Sequence, residues 1–326
     1  MPEFDLIRRL QETIEVSGAD RGLDCVVGIG DDAAVLECPA GRQLAVCTDT
    51  LVEGVHFPLG TSARSVGYKS LAVNLSDLAA MGAEPAWFFM ALTLPEENRP
   101  WLDEFADGIA GLAREAGIIL AGGDTTTGPL SITITAVGLL ETGSALTRSG
   151  AGEGDLIVVS GEPGRAANAL RMLREQLTPR SRDLRALEYP APRLALGRAI
   201  RGLATACIDV SDGLLADLGH ILEQSGKGAE IDLEALPPVD SLADLDEEQR
   251  WQLQLAGGDD YELCFSINPA DSGRLEAIAV ETGLPLSVIG KITSSGTVLR
   301  KPGGGIFSPS AEGYQHFAGD SGTLGE

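Results

Sequence analysis

The chain has 326 residues, 44% hydrophobic and 22% charged, which is enough for about two domains with apolar cores and excludes a disordered protein. Its 48 Asp and Glu residues outnumber 24 Lys and Arg residues, and the net charge of -24 excludes general affinity for nucleic acid or for an anionic membrane. An acidic protein that handles phosphates needs another source of positive charge, and metal ions are the obvious candidate.

The apolar segments and the cysteines indicate a cytoplasmic protein. The first ten residues, M-P-E-F-D-L-I-R-R-L, lack the apolar stretch of a secretory signal, and the longest apolar run, residues 86–94, is too short to cross a bilayer. The five cysteines are scattered without C-x-x-C spacing, which is typical of a reducing compartment and argues against a zinc site or disulfide framework.

Hydrophobic periodicity and turn residues predict the elements of the first half. The predicted helices cover residues 3–17, 62–80 and 100–116, the last beginning at a proline and ending before Gly117. The predicted strands cover residues 25–28, 33–37, 44–48, 86–94, 118–121 and 130–140. Residues 141–154 are rich in Gly, Ser and Thr, so we predict two domains, residues 1–145 and 146–326.

The second half repeats the alternation of strands and helices. Its predicted strands cover residues 155–160, 205–209, 229–233, 261–267 and 286–289. Its predicted helices cover residues 164–175, 192–202, 212–224 and 269–281. Alternation in both halves predicts an α/β protein in which helices cover mixed sheets.

Acidic residues recur beside the predicted strands, in sequences typical of turns. These clusters are G-D-D at 30–32, T-D-T at 48–50, G-G-D-T-T at 122–126, D-V-S-D-G at 209–213 and G-G-D-D at 257–260. One such cluster is typical of a turn or a helix cap. Together they indicate divalent cations, because gathered carboxylates repel each other and Mg²⁺ binds one or two carboxylates along with phosphate oxygens.

Two further features adjoin these clusters. Ser70, Asn74 and Asp77 lie four and three residues apart on the predicted helix 62–80, so they share one polar stripe. His56 follows the T-D-T cluster closely, which favours a substrate contact, with a partly buried packing role as the alternative.

Two other classes of protein match parts of the pattern. G-x-G-x-x-A at 28–33, with Asp49 about twenty residues beyond, resembles a dinucleotide-binding fingerprint. Two carboxylates would there face the pyrophosphate, and residues 33–36 favour a strand over the required helix. A structural Ca²⁺-binding protein would need the D-x-D-x-D-G loop, whose spacing D-V-S-D-G does not have. Walker-loop, H-E-x-x-H and G-x-S-x-G motifs do not occur.

Seven motifs together resemble the thiamine-monophosphate kinase family. They are G-I-G-D-D-A-A-V, T-D-T-L-V-E-G-V-H-F, A-V-N-L-S-D-L-A-A-M-G-A-E-P, G-G-D-T-T, L-T-R-S-G, D-V-S-D-G-L and G-G-D-D-Y-E-L. They run in family order from about residue 24 to the C-terminal G-Y-Q-H-F. The alternative is another ATP-using member of the wider superfamily, such as a hydrogenase maturation factor or a selenophosphate synthetase. The latter carries a lysine near its N-terminus, whereas the first lysine here is Lys69.

The resemblance implies a two-domain fold of the aminoimidazole ribonucleotide synthetase type. It implies a homodimer formed through an N-terminal domain that binds ATP and Mg²⁺, with a C-terminal domain that completes the nucleotide and substrate site. The implied reaction transfers the γ-phosphoryl group of ATP to the phosphate of thiamine monophosphate, giving thiamine diphosphate with several Mg²⁺ ions as cofactors. Phosphoryl transfer needs positioning and charge neutralisation more than covalent help, so we expect direct transfer without a phosphoenzyme.

The resemblance also implies roles for individual residues. The implied Mg²⁺ ligands are Asp32, Cys47, Thr48, Asp49, Asp77, Asp124, Asp209 and Asp212, with Cys47 acting through its backbone carbonyl. The implied ATP contacts are Gly123, Asp124, Arg148 and Ser211. The implied contacts to the thiamine substrate are His56, Asp259 and Tyr314. The implied catalytic residues are Asp49, Asp77, Asp124 and Asp212.

Overall fold

The computed structural model describes residues 3–14, 23, 25–311 and 313–314, with side chains from residue 8 onward, so the predicted helical residues 15–17 lie outside the described part. The chain divides into two compact units. The first contains the described residues up to Leu78 together with Ala83–Gly143, and the second contains Ala79–Gly82 and the described residues from Ser144 onward.

The first unit is built on a four-stranded sheet. Its helices are α1 (Glu3–Ile14), α2 (Ala63–Ala80) and α3 (Arg99–Ala116), and its strands are β1 (Cys25–Val27), β2 (Val35–Leu36), β3 (Arg42–Val52), β4 (Glu84–Leu94), β5 (Ile119–Thr127) and β6 (Ser131–Glu141). The sheet order is β3-β6-β4-β5, in which β4 and β5 are parallel and the other pairs are antiparallel. β1 and β2 form a separate antiparallel pair.

The helix predicted at 100–116 is confirmed, and its ends follow from local chemistry. The side chain of Asn98 accepts the N–H of Trp101, and Gly117 ends α3 in the left-handed conformation. α2 and α3 approach so closely that a Cβ on Gly67 would lie 2.1 Å from the carbonyl oxygen of Phe105. Glycine is therefore required at this helix crossing.

Two acidic clusters that the sequence placed at turns lie inside strands. T-D-T belongs to β3 and G-G-D-T-T to β5, so the turn prediction is wrong for both. The Thr48 and Thr50 hydroxyls pair with those of Thr135 and Thr133, each at 2.9 Å, across the neighbouring strand. Such cross-strand pairs stabilise a strand whose composition alone indicates a turn.

The second unit is built on a six-stranded sheet. Its strands are β7 (Leu156–Ser160), β8 (Ala204–Val210), β9 (Gly228–Asp232), β10 (Glu262–Ile267), β11 (Leu286–Thr293) and β12 (Thr297–Arg300). Its helices are α4 (Arg165–Arg174), α5 (Ser181–Glu188), α6 (Leu194–Ala199), α7 (Leu214–Ser225), α8 (Glu247–Ala256) and α9 (Leu275–Thr282). The order is β12-β9-β11-β7-β10-β8, in which β12 and β9 are parallel and the other pairs are antiparallel.

The second unit has a core on each side of its sheet. Ile157 and Val159 pack with α7 and α8, whereas Val158 packs with α6 and α9. This alternation follows from the two-residue period of a strand. Mixed sheets covered by helices confirm the predicted fold class. Among the described helices, none combines the length and the apolar character that spanning a bilayer requires.

The sequence missed α5, α8 and β12, and the helix predicted at 269–281 is a 3₁₀ turn followed by α9. Asp246 caps the start of α8, and its carboxylate accepts the N–H of Gln249. Its sequence is dominated by Glu, Gln and Arg, and the buried Trp251 and Leu255 are too few to produce a clear apolar stripe. Tertiary packing decides such short polar elements.

Candidate active site

In the first unit, Asn74 links α2 to the acidic strand β3. Its side-chain oxygen accepts the backbone N–H of Asp49 at 3.2 Å, and its backbone carbonyl accepts the thiol of Cys47 at 3.3 Å. The Asn74 amide nitrogen donates to the carbonyl of Ser70 at 3.2 Å, one turn earlier in the helix. Asn74 is fully buried, so it fixes the position of β3 against the helix.

Cys47, Asp49 and Asp77 gather on the helix-covered side of β3. Burial raises the pKa of the Cys47 thiol well above its usual range, and the neighbouring carboxylates of Asp77 and Asp49 raise it further. The thiol is therefore protonated at neutral pH, and a metal contact from this residue would use the backbone carbonyl. The thiols of all five cysteines are free.

Asp124 lies on the other face of the same sheet. Two in-register rows cross the four strands: Thr50, Thr133, Ala91 and Asp124 form one, and Asp49, Ile134, Met90 and Gly123 form the next. Neighbouring rows point to opposite faces, and three strand spacings amount to about 14 Å. A single copy of this unit therefore does not bring Asp49 and Asp124 together. The Thr48 side chain also lies on the face of Asp124.

Gly123 stands in β5 immediately before Asp124. A Cβ at this position would lie 2.0 Å from the carbonyl oxygen of Met90, so a larger residue would push β5 away from β4. Asp124 itself is exposed. The G-G-D sequence thus combines close strand packing with an accessible carboxylate.

Asp32 and His56 lie in loops of the first unit. Asp32 is exposed in the connection between β1 and β2, where its N–H donates to the carboxylate of Asp31 at 3.0 Å. The chain continues from here into β2 and not into a helix, which excludes the dinucleotide-binding alternative. His56 follows β3, and its Nδ1 accepts the N–H of Val52 at 3.0 Å, which assigns the proton of the neutral ring to Nε2.

In the second unit, the D-V-S-D-G segment joins the end of β8 to α7. The carboxylate of Asp217, in the first turn of α7, accepts the N–H groups of Ser211, Asp212 and Gly213. Burial, together with the charges of Asp209 and Asp212, raises the pKa of Asp217 to about 7, although the N–H groups that it accepts lower it. Three carboxyl groups therefore lie close enough to repel each other.

Backbone hydrogen bonds attach two of the three predicted substrate residues to this segment. Asp259 N–H donates to the carbonyl of Ser211 at 2.8 Å, and Tyr314 N–H donates to the carbonyl of Asp212 at 2.9 Å. Tyr261 N–H donates to Val210 at 2.7 Å. The second unit thus gathers five predicted site residues: Asp209, Ser211, Asp212, Asp259 and Tyr314.

The G-G-D-D-Y loop itself is conformationally strained. Asp259 and Tyr261 have φ angles of 68° and 50°, in the left-handed region that non-glycine residues rarely adopt. The Tyr261 hydroxyl donates to the Asp259 carboxylate at 3.3 Å. Between them, Asp260 accepts the N–H of Gly164, and burial raises the pKa of Asp260 well above its usual range. Such strain is concentrated at functional sites.

The sequence did not single out Asp217, Asp260 or Glu262 as site residues. Glu262 follows the strained loop and binds the guanidinium of Arg193 and the hydroxyl of Ser160. Asp260 and Glu262 belong to the quoted motif G-G-D-D-Y-E-L, so the motif carried a signal for both. Asp217 stands among the apolar residues of α7, where an acid at an otherwise buried position was the available signal.

Arg148 lies beside the middle of β8, where the preceding Thr147 accepts the N–H of Cys207 at 2.9 Å. Ser211 stands four residues beyond Cys207, about 13 Å along an extended strand. The backbone of Arg148 is therefore not adjacent to the D-V-S-D-G segment. Its side chain is exposed, and only the length of that side chain could bring a cation to the segment.

The donor set fits Mg²⁺ better than a closed metal site. Among the described residues, no three His, Cys, Asp or Glu side chains are already assembled as metal ligands. Mg²⁺ commonly uses one or two carboxylates and completes its shell with water and phosphate oxygens. The mutually repelling carboxyls at Asp209, Asp212 and Asp217 are the kind of environment that such a cation relieves.

Two family models match the chain. The N-terminal domain of AIR synthase related proteins matches residues 30–140, and the C-terminal domain matches residues 152–300. A hydrogenase maturation protein HypE in complex with ATP has a TM-score of 0.77 at 20% identity, covering 94% of this chain and 93% of the other, which shows a shared fold. A selenophosphate synthetase or HypE-type activity gains no support from a likeness at that identity.

Relatives of higher identity indicate the family to which the chain belongs. The thiamine-monophosphate kinase of Salmonella typhimurium is 43% identical over 97% of this chain and 98% of its own length. The structure of the Stenotrophomonas maltophilia thiamine-monophosphate kinase has a TM-score of 0.84 at 44% identity, covering 92% of this chain and 96% of the other. AaThiL complexed with AMPPCP and TMP has a TM-score of 0.74 at 28% identity, covering 97% of each chain. The chain therefore belongs to the thiamine-monophosphate kinase family.

Proposed function

We propose that this kinase transfers the γ-phosphoryl group of ATP directly to the phosphate of thiamine monophosphate, in a step that depends on Mg²⁺. The observation that carries the proposal is the hydrogen-bonded junction of two loops in the second unit. Ser211, an expected ATP contact, accepts the N–H of Asp259, an expected substrate contact. Two reactants held by such a junction gain the positional advantage on which phosphoryl transfer depends.

The proposed Mg²⁺ ligands are carboxylates of both units. In the first unit they are Asp32, Asp49, Asp77 and Asp124, supplemented by Thr48 and by the carbonyl of Cys47. In the second unit they are Asp209 and Asp212. Bound Mg²⁺ would neutralise most of the phosphate charge, because Arg148 is the one cationic side chain among the proposed contacts. Asp49, Asp77, Asp124 and Asp212 are the proposed catalytic residues.

The other proposed contacts orient the two reactants. Gly123, Asp124, Arg148 and Ser211 would contact ATP, and Arg148 can form a bidentate hydrogen bond with phosphate oxygens. His56, Asp259 and Tyr314 would contact thiamine monophosphate. The carboxylate of Asp259 suits the positively charged thiazolium ring, and the Nε2 proton of His56 suits an oxygen acceptor. No side chain serves as a nucleophile, because a phosphate oxygen of the acceptor attacks.

A homodimer formed through the first unit accounts for two features of its sheet. Leu44 and Val46 are 50% and 62% exposed on β3 and share their face with the Thr48 and Thr50 hydroxyl pairs. Asp124 lies on that face too, whereas Asp49 lies on the other. A second copy would cover the apolar positions and place a further set of carboxylates beside Asp124. The cytoplasmic location stays a prediction.

The test is a turnover assay with ATP, Mg²⁺ and four acceptors: thiamine monophosphate, thiamine, formylglycinamidine ribonucleotide and selenide. We expect turnover with thiamine monophosphate and loss of turnover when Mg²⁺ is chelated. Turnover with another acceptor alone would contradict the proposed substrate.

Direct transfer has a separate test. The enzyme is incubated with γ-labelled ATP and Mg²⁺ without acceptor, quenched and separated from nucleotide. We expect no label on the protein. Stoichiometric label that thiamine monophosphate chases into product would instead establish a phosphoenzyme.

A further inference from the structure

Asp217 is a buried carboxylate to which the proposed reaction assigns no role. It lies in the first turn of α7 and is 3% exposed. Its Oδ2 accepts three consecutive backbone N–H groups, from Ser211 at 2.9 Å, Asp212 at 3.1 Å and Gly213 at 3.2 Å. All three distances are those of formed hydrogen bonds.

These bonds replace a conventional cap at the start of α7. Gly213 occupies the N-cap position and has no side chain with which to accept an N–H. Unpaired N–H groups before a helix ordinarily bind a capping side chain or an anion such as phosphate. Asp217 reaches back from within the helix and occupies them, as the acidic residue of a capping box does. The amides of the D-V-S-D-G segment are therefore already used, and its carboxylates and hydroxyl are the groups left to act on a ligand.

We infer that Asp217 is a positioning residue, which holds the D-V-S-D-G segment in the conformation that Asp209 and Asp212 need to bind the metal–nucleotide complex. The inference rests on the metal role proposed above for those two residues. It also extends to the thiamine substrate, because Ser211 and Asp212 accept the N–H groups of Asp259 and Tyr314. A shift of the segment would therefore move residues for both reactants.

A cap for the helix would not by itself call for this arrangement. A Ser or Asn cap would satisfy one N–H without adding charge. Asp217 instead adds a third carboxyl group beside Asp209 and Asp212, at an electrostatic cost. This carboxylate provides one acceptor oxygen that fixes the backbone of three successive residues of the D-V-S-D-G segment.

The experiment compares Asp217→Ala and Asp217→Asn in the full chain. Asn retains an acceptor oxygen of similar volume, whereas Ala removes all three hydrogen bonds. Asp155 supplies the matched control, since it is 5% exposed and accepts the N–H of Gly152 and the hydroxyl of Thr205. Thr205 and Asp209 lie near opposite ends of β8, so Asp155→Ala should destabilise the second unit without moving the segment. Each variant is measured for Tm, kcat, KM for thiamine monophosphate and the Mg²⁺ concentration that gives half-maximal activity.

For Asp217→Ala we expect about a tenfold rise in the half-maximal Mg²⁺ concentration and about a tenfold fall in kcat, because a misplacement of 1 Å can cost about a hundredfold and we expect a smaller shift of the ligands. Asp217→Asn should recover part of both losses, and Asp155→Ala should keep the wild-type Mg²⁺ requirement at a lowered Tm. The inference is overturned if Asp217→Ala keeps the wild-type Mg²⁺ requirement and kcat. It is also overturned if Asp155→Ala changes them equally. Should Asp217→Ala not fold, Asp217→Asn decides, with an unchanged Mg²⁺ requirement as the contrary result.

Asp212→Asn separates this inference from the proposed function. If Asp212→Asn also keeps the wild-type Mg²⁺ requirement, the metal role of the segment is wrong. If Asp212→Asn loses activity while Asp217→Ala does not, only the positioning role of Asp217 fails.

Discussion

The two units present their acidic residues in different ways. In the first unit Asp49 and Asp124 stand on strands of one sheet, and cross-strand partners fix the backbone around them. In the second unit Asp209 is the penultimate residue of β8, and the residues that follow the strand are held by the carboxylate of Asp217 and by a neighbouring loop. A carboxylate in a strand can therefore be neutralised with little effect on its surroundings, whereas the loop depends on particular backbone conformations and acceptors.

The largest effect is expected from Asp49→Asn and Asp77→Asn. Each substitution preserves size and removes the charge proposed to bind Mg²⁺, so kcat should fall about a hundredfold or more, while circular dichroism stays native. Asp107→Asn is the control, because Asp107 is half exposed in the same unit and pairs with Arg64. Near-normal kcat in both site variants would show that Asp49 and Asp77 do not bind a catalytic Mg²⁺ ion and have a structural role instead.

The second largest effect is expected on thermal stability, when Mg²⁺ and a nucleotide bind. Mg²⁺ and a non-hydrolysable ATP analogue together should raise Tm more than either alone, since the cation would relieve the repulsion among the carboxylates proposed to bind it. At a hundredfold excess over Kd, a ligand of the native state adds about 2.7 kcal/mol. A thermal scan without any shift in the presence of both would contradict a nucleotide–metal site.

Gly213→Ala should destabilise the loop between β8 and α7, whereas Asp49→Asn in β3 should leave the fold unchanged. Gly213 has a φ of 131°, and a Cβ there would lie 3.0 Å from the backbone of Ala256. We expect a loss of about 2 kcal/mol in the free energy of unfolding, measured by urea denaturation. Gly219→Ala is the matched control in α7, because its Cβ meets open space, and helix propensity predicts a gain of about 1 kcal/mol. Equal effects of the two substitutions on the free energy of unfolding would show that stability does not depend on the backbone conformation of this loop.

The smallest effect is expected from Tyr261→Phe. It removes one hydroxyl that donates to Asp259, and a lost hydrogen bond of this kind costs about 1 kcal/mol. KM for thiamine monophosphate should rise about fivefold, and KM for ATP serves as the internal control that should stay constant. A rise in both KM values would indicate that Tyr261 stabilises the conformation of the whole loop and does not act specifically on the substrate contact of Asp259.

The sequence by itself determined the class of fold, the family and the segments that carry acids. The spacing of apolar residues located α3 and most strands, because an element with one buried face repeats its apolar residues with the period of a helix or of a strand. The seven motifs predicted the family because each combines residues with separate chemical demands, such as G-G-D, in which only glycine fits beside Met90.

Tertiary structure decided what local composition could not. The sequence T-D-T indicates a turn, yet it pairs with β6 as part of a strand. The register across the four strands then places Asp49 and Asp124 on opposite faces of the sheet. Asp217 has no motif of its own, and the positioning role inferred for it depends on three N–H groups that donate to one oxygen. Composition reports what a residue prefers in isolation, whereas hydrogen bonds between distant segments settle which of those preferences is realised.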